Sequence, residues 1–365
     1  MKAEIHKSEK SVCLYGHHEM EYPRNRIVRQ SMEQAGWRVV PCRSRAPFPF
    51  RHFILALKYL RLRRQVSVIW ITEGGHRLVP FARLMAWCTG KRLIFDPYIS
   101  RYNTRIEDRG LYRQKGLQAL VCLWQDWSST HAADFLVFDT MMHKDYFFRK
   151  YSLKKPFGLF PLGADETVFA PRKTSFRSGD SVFEVLFYGT FIPLQGAEHI
   201  VDAAHILRHR ENIRFTLIGA GQTLPAIEKK VRELKLPNLV MKPPVPEPQL
   251  PGIISRAGLC LGIFGATVKA GLVVPNKVVQ SAAMGKAIIT ARTGAIQQYF
   301  RDNQDLLLAN PGDGNDLAGK ILQLAENSKL RERLEVNARK KFEEHFSLNR
   351  LGELMNDILV RNAKC

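Results

Sequence analysis

Lys277 stands in the first turn of an expected helix, Asn276 to Met284, directly after Pro275. Proline suits a helix's first turn, where its missing N–H costs nothing. The backbone N–H groups of that turn have no intrahelical partner and favour an anion. A cation beside them reads as half of a phosphate site; the other reading is a solvated surface lysine. Gly285 is placed to end the helix in the left-handed conformation. Lys286 to Thr290 follows as a short apolar strand, with Gly294 after its turn. Two more turns carry glycine directly behind an apolar strand. Gly189 and Thr190 follow VFEVLFY, and Gly219 and Gly221 lie in LIGAG. Glycine there lets a backbone approach a phosphate closely, or serves the turn alone. Their joint placement with Lys277 in one sheet favours the phosphate. The chain has neither a GxGxxG with an acidic residue about twenty positions on nor a GxxxxGK[ST], which argues against a dehydrogenase and a P-loop nucleotidase.

A second group of candidates lies in the first half. His17, His18 and Arg24 follow the first strand, SVCLY. A paired histidine can bind phosphate or be merely exposed. Glu73 and His76 stand in the loop after VSVIWIT, and Asp96 follows KRLIF. Asp96 is either a catalytic carboxylate or a turn and cap residue.

These loops need a scaffold, and the sequence supplies one. Strands alternate with helices at least five times up to Phe160, and the apolar runs are those of strands buried on both faces of a parallel sheet. A long helical segment is expected over about 106–130. Residues 170–180, APRKTSFRSGD, are polar and read as a linker. The alternation then restarts with a second open sheet. The expected division is residues 1–172, a linker at 173–180, 181–345, and a closing helix over 346–365 that crosses back to the first domain. In open sheets of this kind ligands sit at the strands' carboxyl ends.

At 365 residues the chain is long enough for two cores. The net charge of +21 is uneven. Residues 1–180 hold 31 Lys and Arg against 16 Asp and Glu, and no acidic residue lies between Glu33 and Glu73. The first half is therefore expected to meet something anionic: an acidic membrane face, a phosphorylated lipid or nucleic acid. From Phe50 to Arg64, Phe53, Ile54, Leu57 and Leu60 recur at helical spacing among five cations, giving a basic amphipathic helix. It either packs its stripe on the sheet or also touches a membrane by its basic rim. No recognised nucleic-acid module is present. Six scattered cysteines form no metal or disulfide pattern. No apolar leader or spanning run points to export, so a cytoplasmic protein is expected, peripheral at the inner face of the plasma membrane.

The second half resembles family 4 glycosyltransferases of the GT-B fold, glycosyl transferases group 1. The matching text is GTFIPLQG after a strand, FTLIGAG, PEPQLPGIISRAGLCLGIF, and PNKVVQSAAMGKAIIT with Gly294. DFLVFDT, PLGADETVFAP and FEEHFSLNRLGELMNDIL add to it. The resemblance implies an α/β chain of two Rossmann-like domains facing a cleft. The first would bind an acceptor and the second a nucleotide-diphosphate sugar. Carried over, Gly189 and Thr190 lie beside the donor pyrophosphate, Gly219 and Gly221 near the nucleoside, and Lys277 against the leaving diphosphate. Gln280 would hold ribose hydroxyls. Asp96 and His18 become the catalytic candidates, and His17, Arg24, Glu73 and His76 line the acceptor side. No metal or other cofactor is required. The sequence departs from the family at Thr190 and Gln195, where arginine and lysine are common. It also departs at Leu272 and Gln280, where the family has a glutamate pair. The implied activity is sugar transfer, with retention, to a lipid-linked or other cell-envelope saccharide. The alternatives are a nucleotide-sugar 2-epimerase and a binding protein descended from such an enzyme.

Overall fold

The computed structural model describes residues 10–17, 19, 22–172 and 182–363. His18 and the linker expected at 173–180 lie outside the described residues. The described chain separates into two compact units.

The first unit takes the chain to Ile106, then Gly110–Leu162, and again from Leu348. Its elements run β1 (Ser11–Gly16), α1 (Pro23–Gln34), β2 (Arg38–Arg43), α2 (Phe50–Leu62), β3 (Val68–Ile71), α3 (Val79–Cys88), β4 (Arg92–Phe95), α4 (Leu117–Ala132), β5 (Phe135–Phe138), α5 (Met141–Tyr151) and β6 (Phe157–Leu159). The six strands form one parallel sheet in the order β2-β1-β3-β4-β5-β6. The expected helix over 106–130 is two pieces: a π-helical turn at Asn103–Asp108 and then α4. Gly110, at φ +58, and Gly116 punctuate the gap between them.

The second unit holds Gly163–Ser347 together with Glu107–Arg109. It begins earlier than the expected boundary at 172; Glu166 already lies 3.9 Å from Arg339. Its elements are β7 (Phe183–Tyr188), α6 (Ala197–Ile206), β8 (Ile213–Ile218), α7 (Leu224–Leu234), β9 (Leu239–Lys242), α8 (Leu250–Arg256), β10 (Leu259–Leu261), α9 (Asn276–Ala283), β11 (Ile288–Ala291), α10 (Gly294–Gln297), β12 (Leu307–Ala309), α11 (Gly314–Glu326) and α12 (Ser328–His345). Another parallel six-stranded sheet results, β12-β11-β10-β7-β8-β9. The closing helix α13 (Leu348–Asn362) belongs to the first unit and packs on α1.

Burial explains the layering. One face of the first sheet is covered by Leu55 and Tyr59 of α2, Val79 and Ala82 of α3, and Phe147 of α5. The other is covered by Ile27, Val28 and Met32 of α1 with Leu351, Met355 and Leu359 of α13. Each Val, Leu, Ile, Met or Phe among them contributes about 2 kcal/mol by leaving water. The amphipathic reading of α2 is reversed in one respect. Phe53, Ile54, Leu57 and Leu60, the expected packing stripe, are exposed, and the helix meets the core through Leu55, Tyr59 and the half-buried Leu62. A narrow i, i+4 seam suffices to seat it.

Candidate active site

The second sheet brings the glycine turns and the lysine together. β7 ends at Tyr188, and the Gly189 N–H bonds the Ile218 carbonyl at 2.9 Å, tying the two neighbouring turns at the strands' carboxyl ends. At Gly219, φ is +155° and an added Cβ would overlap the Gly189 carbonyl oxygen, so no other residue fits without moving the turn. Gly221 packs on the Phe191 backbone, where an added Cβ would overlap the carbonyl oxygen. Tyr188, Gly189, Thr190 and Gly219 line a cleft of about 230 Å³, with Pro244, Val245 and Leu250 as an apolar wall. That wall comes from the Pro-rich stretch after β9 and the first residue of α8.

α9 begins behind Pro275, as expected, and ends at Gly285 in the left-handed region. Its Lys277 is only 5% exposed. The ammonium lies 3.7 Å from the centre of the Phe187 ring, donates to Gln195 Oε1, and would stand 3.0 Å from a Cβ on Gly189. Among the described residues no carboxylate lies within ion-pair distance of it. Burial therefore pushes its pKa well below the usual lysine range. Lys269, another buried lysine of this unit, differs: Asp108 is close enough to feel its charge. Gln280 is buried, with the Tyr188 hydroxyl donating to its Oε1 at 3.1 Å. Phe187, Tyr188 and Gln195 are thus contributors that sequence reasoning did not place beside the lysine. Their partners lie up to 92 positions away.

In the first unit Asp96 is fully enclosed. Arg24 Nε donates to its Oδ2 at 2.9 Å, and Arg24 Nη1 donates to the Pro161 carbonyl at 2.9 Å. The guanidinium also rests against the Phe160 and Tyr98 rings. Burial outweighs the ion pair and raises the Asp96 pKa above the usual carboxylate range. Asp96 Oδ1 has no hydrogen-bond partner among the described residues. His76 is buried against Phe95, 3.4 Å from Asp126, and burial lowers its pKa to about 4. It stays neutral and does not line the neighbouring cavity. His17 and Glu73 do line it; His17 Nδ1 donates to the Ser44 carbonyl at 3.1 Å.

Residues 183–327 match the model of the family described as glycosyl transferases group 1. An uncharacterized glycosyltransferase of Methanocaldococcus jannaschii is 28% identical over 179 residues, which is 47% of this chain. The match spans just under half of that relative, 46%. Among solved structures, Anabaena HepE in complex with UDP and glucose has a TM-score of 0.71 at 12% identity, covering 96% of this chain and 99% of its own. A sucrose-phosphate synthase of Thermosynechococcus elongatus has a TM-score of 0.71 at 14% identity, covering 97% and 99%. These two likenesses concern the fold. Residues 183–327 thus resemble the group 1 glycosyl transferases, and the chain, with its two six-stranded parallel sheets, has the GT-B fold.

Proposed function

We propose that this chain moves a sugar from a nucleotide-diphosphate donor to a lipid-linked or other cell-envelope saccharide, with retention at the anomeric carbon. The observation that carries the reading is the buried, uncompensated Lys277 beside the Gly189 turn, on which the Gly219 turn packs. In the reaction the bond from the anomeric carbon to the diphosphate oxygen breaks, and the leaving group keeps the electron pair. The acceptor oxygen bonds that carbon and gives up its proton. Negative charge grows on the diphosphate, and an ammonium fixed in a dry site stabilises it strongly. Lys277 and the first turn of α9 supply that charge where other enzymes use a metal. Thr190 would line the pyrophosphate, Gly221 and Gln280 the nucleoside. Asp96 Oδ1, the oxygen Arg24 leaves unengaged, would take the acceptor proton; a raised pKa suits a base working near neutrality. His18 is the second candidate for that role. Retention rests on the family alone.

HepE is described with UDP and glucose, so UDP-sugars are the first donors to test. A thermal-shift screen of UDP, GDP and their sugars is the experiment, run on the wild type and on Lys277→Met. A nucleotide diphosphate should stabilise the wild type alone. Equal shifts in both proteins, or none in the wild type, would remove the donor site.

The same reading places the work at the cytoplasmic face of an anionic membrane. The exposed Phe50, Phe53 and Leu57 of α2 support this, with Arg51, Lys58 and Arg61 between them. Trp87 of α3, 72% exposed, and Trp124 and Trp127 of α4 are further exposed aromatics of this unit, in which α2 packs on α3 and α3 on α4. Among the described residues no helix is long and apolar enough to cross a membrane.

A further inference from the structure

The first sheet reverses its order between β1 and β3: β2 lies outside β1, while β4, β5 and β6 continue beyond β3. Turns leaving two such strands diverge and open a crevice at their carboxyl ends. A cavity of about 230 Å³ occupies that position. Gly16, the last residue of β1, lines it, as do Gly74 and Gly75 in the turn after β3. A Cβ on Gly75 would overlap Ile71 Cγ2, so the backbone itself forms that wall. The first turn of α2 closes the other side with Arg51 and His52.

The lining is cationic. Arg51, Arg77, His17 and His52 face a single carboxylate, Glu73. Arg51 Nε donates to the Ala46 carbonyl at 2.8 Å, which fixes its guanidinium. His52 Nδ1 is buried without a hydrogen-bond partner among the described residues, its ring held edge-on between Phe48 and Phe81. Burial and the nearby Asp96 charge raise the Glu73 pKa above the usual carboxylate range. Two guanidinium groups and two imidazoles suit a phosphate or diphosphate ester. An apolar path starts at the rim: Phe48, 73% exposed, borders the cavity, and the exposed Phe50, Phe53 and Leu57 follow.

We propose that this cavity holds the phosphate or diphosphate group of a lipid-linked acceptor, with the hydrocarbon chain leaving past Phe48 along the exposed edge of α2. This deepens the proposed sugar transfer by naming the acceptor's chemical class, and it rests on that reading for the bound molecule's role as acceptor.

The test is calorimetric titration of the full chain with farnesyl diphosphate below its micellar concentration, with farnesol, and with inorganic pyrophosphate. Each titration is repeated in the Lys277→Met chain, so that diphosphate binding in the second unit does not contribute. Farnesyl diphosphate should bind at least about tenfold more tightly than either half-ligand. Arg51→Ala with Arg77→Ala should weaken it at least about tenfold while the UDP thermal shift stays unchanged, and Phe48→Ala should weaken farnesyl diphosphate but not pyrophosphate. Pyrophosphate binding as tightly as the isoprenoid would assign the cavity to free phosphate and overturn the lipid link. Farnesol binding alike to wild type and double variant would overturn the anion site. No binding of farnesyl diphosphate by a chain that still responds to UDP would overturn this proposal and leave the donor reading standing; the reverse result would overturn the donor reading alone.

Discussion

Lys277 and Gln195, 82 positions apart, meet in a hydrogen bond that gives a buried ammonium only neutral company. The amide dipole and the Phe187 ring solvate the charge incompletely, and burial lowers its pKa. A lysine with a depressed folded-state pKa binds fewer protons than its unfolded counterpart. Its cost is therefore absent above the ordinary value of 10.5, grows as pH falls through the folded-state pKa, and is fully present below it. Replacing it with an uncharged chain of similar length removes that cost. Lys277→Met is expected to raise the ligand-free stability at pH 7 by about 1 kcal/mol, read from urea denaturation, while abolishing the UDP shift. A variant both less stable and still responsive to UDP would contradict the site.

Gly219→Ala tests the turn packed on Gly189, the residue beside Lys277. The added methyl meets the Gly189 carbonyl oxygen at a backbone angle that L-residues rarely adopt. A loss of at least about 2 kcal/mol is expected in denaturant unfolding, with the UDP response lost as the Gly189 turn shifts. Gly271→Ala is the control, since nothing lies within 4 Å of its Cβ position; a change under about 0.5 kcal/mol is expected there.

Asp96 carries two expectations that separate structure from chemistry. Asp96→Asn leaves Arg24 buried beside a neutral amide and is expected to cost about 3 kcal/mol of stability. As the proposed base, its loss should also lower kcat about 100-fold or more. Pairing Asp96→Asn with Arg24→Met should restore part of the stability and none of the activity. Recovery of kcat along with stability would make the carboxylate purely a partner for Arg24.

His76 gives a pH signature. Its folded-state pKa of about 4 lies below the ordinary 6.5, so the unfolded chain takes up its proton first as pH falls. Stability is full above pH 6.5 and is lost as pH drops toward 4, by about 3 kcal/mol over the whole window. In His76→Leu the urea midpoint should vary less between pH 6.5 and 4 than in the wild type. An unchanged pH profile would place the titration elsewhere.

Membrane contact is readable by fluorescence. Vesicles containing anionic lipid should shift tryptophan emission to the blue, because Trp87, Trp124 and Trp127 are exposed. Phe53→Glu with Leu57→Glu should weaken that binding by at least about tenfold, as should replacing the vesicles with neutral ones. Equal binding to both vesicle types would remove the electrostatic part of the claim.

The local half of this architecture was legible in the sequence. A strand followed by glycine at Gly189 and Gly219, and a proline-started helix at Lys277, are signals only a few residues long, and each lies where it was read. β12 escaped because three residues, Leu307–Ala309, carry no period to detect. What the side chains touch was not legible, since pairing depends on contacts between distant segments. Arg24 reaches Asp96 across 72 positions, and Tyr188 reaches Gln280 across 92. Composition also misled at α2, where helical spacing marks a stripe but does not say which side of it faces the sheet.

The position of α13 bears on how the chain is made. Leu351, Met355 and Leu359 complete the layer that α1 begins, so the unit whose strands leave the ribosome first stays unfinished until these residues emerge. Until then Ile27, Val28 and Met32 lack part of their cover, while the elements from β7 to α12 can already assemble. A nascent chain halted before Leu348 would leave that apolar layer uncovered and is the species expected to need a chaperone.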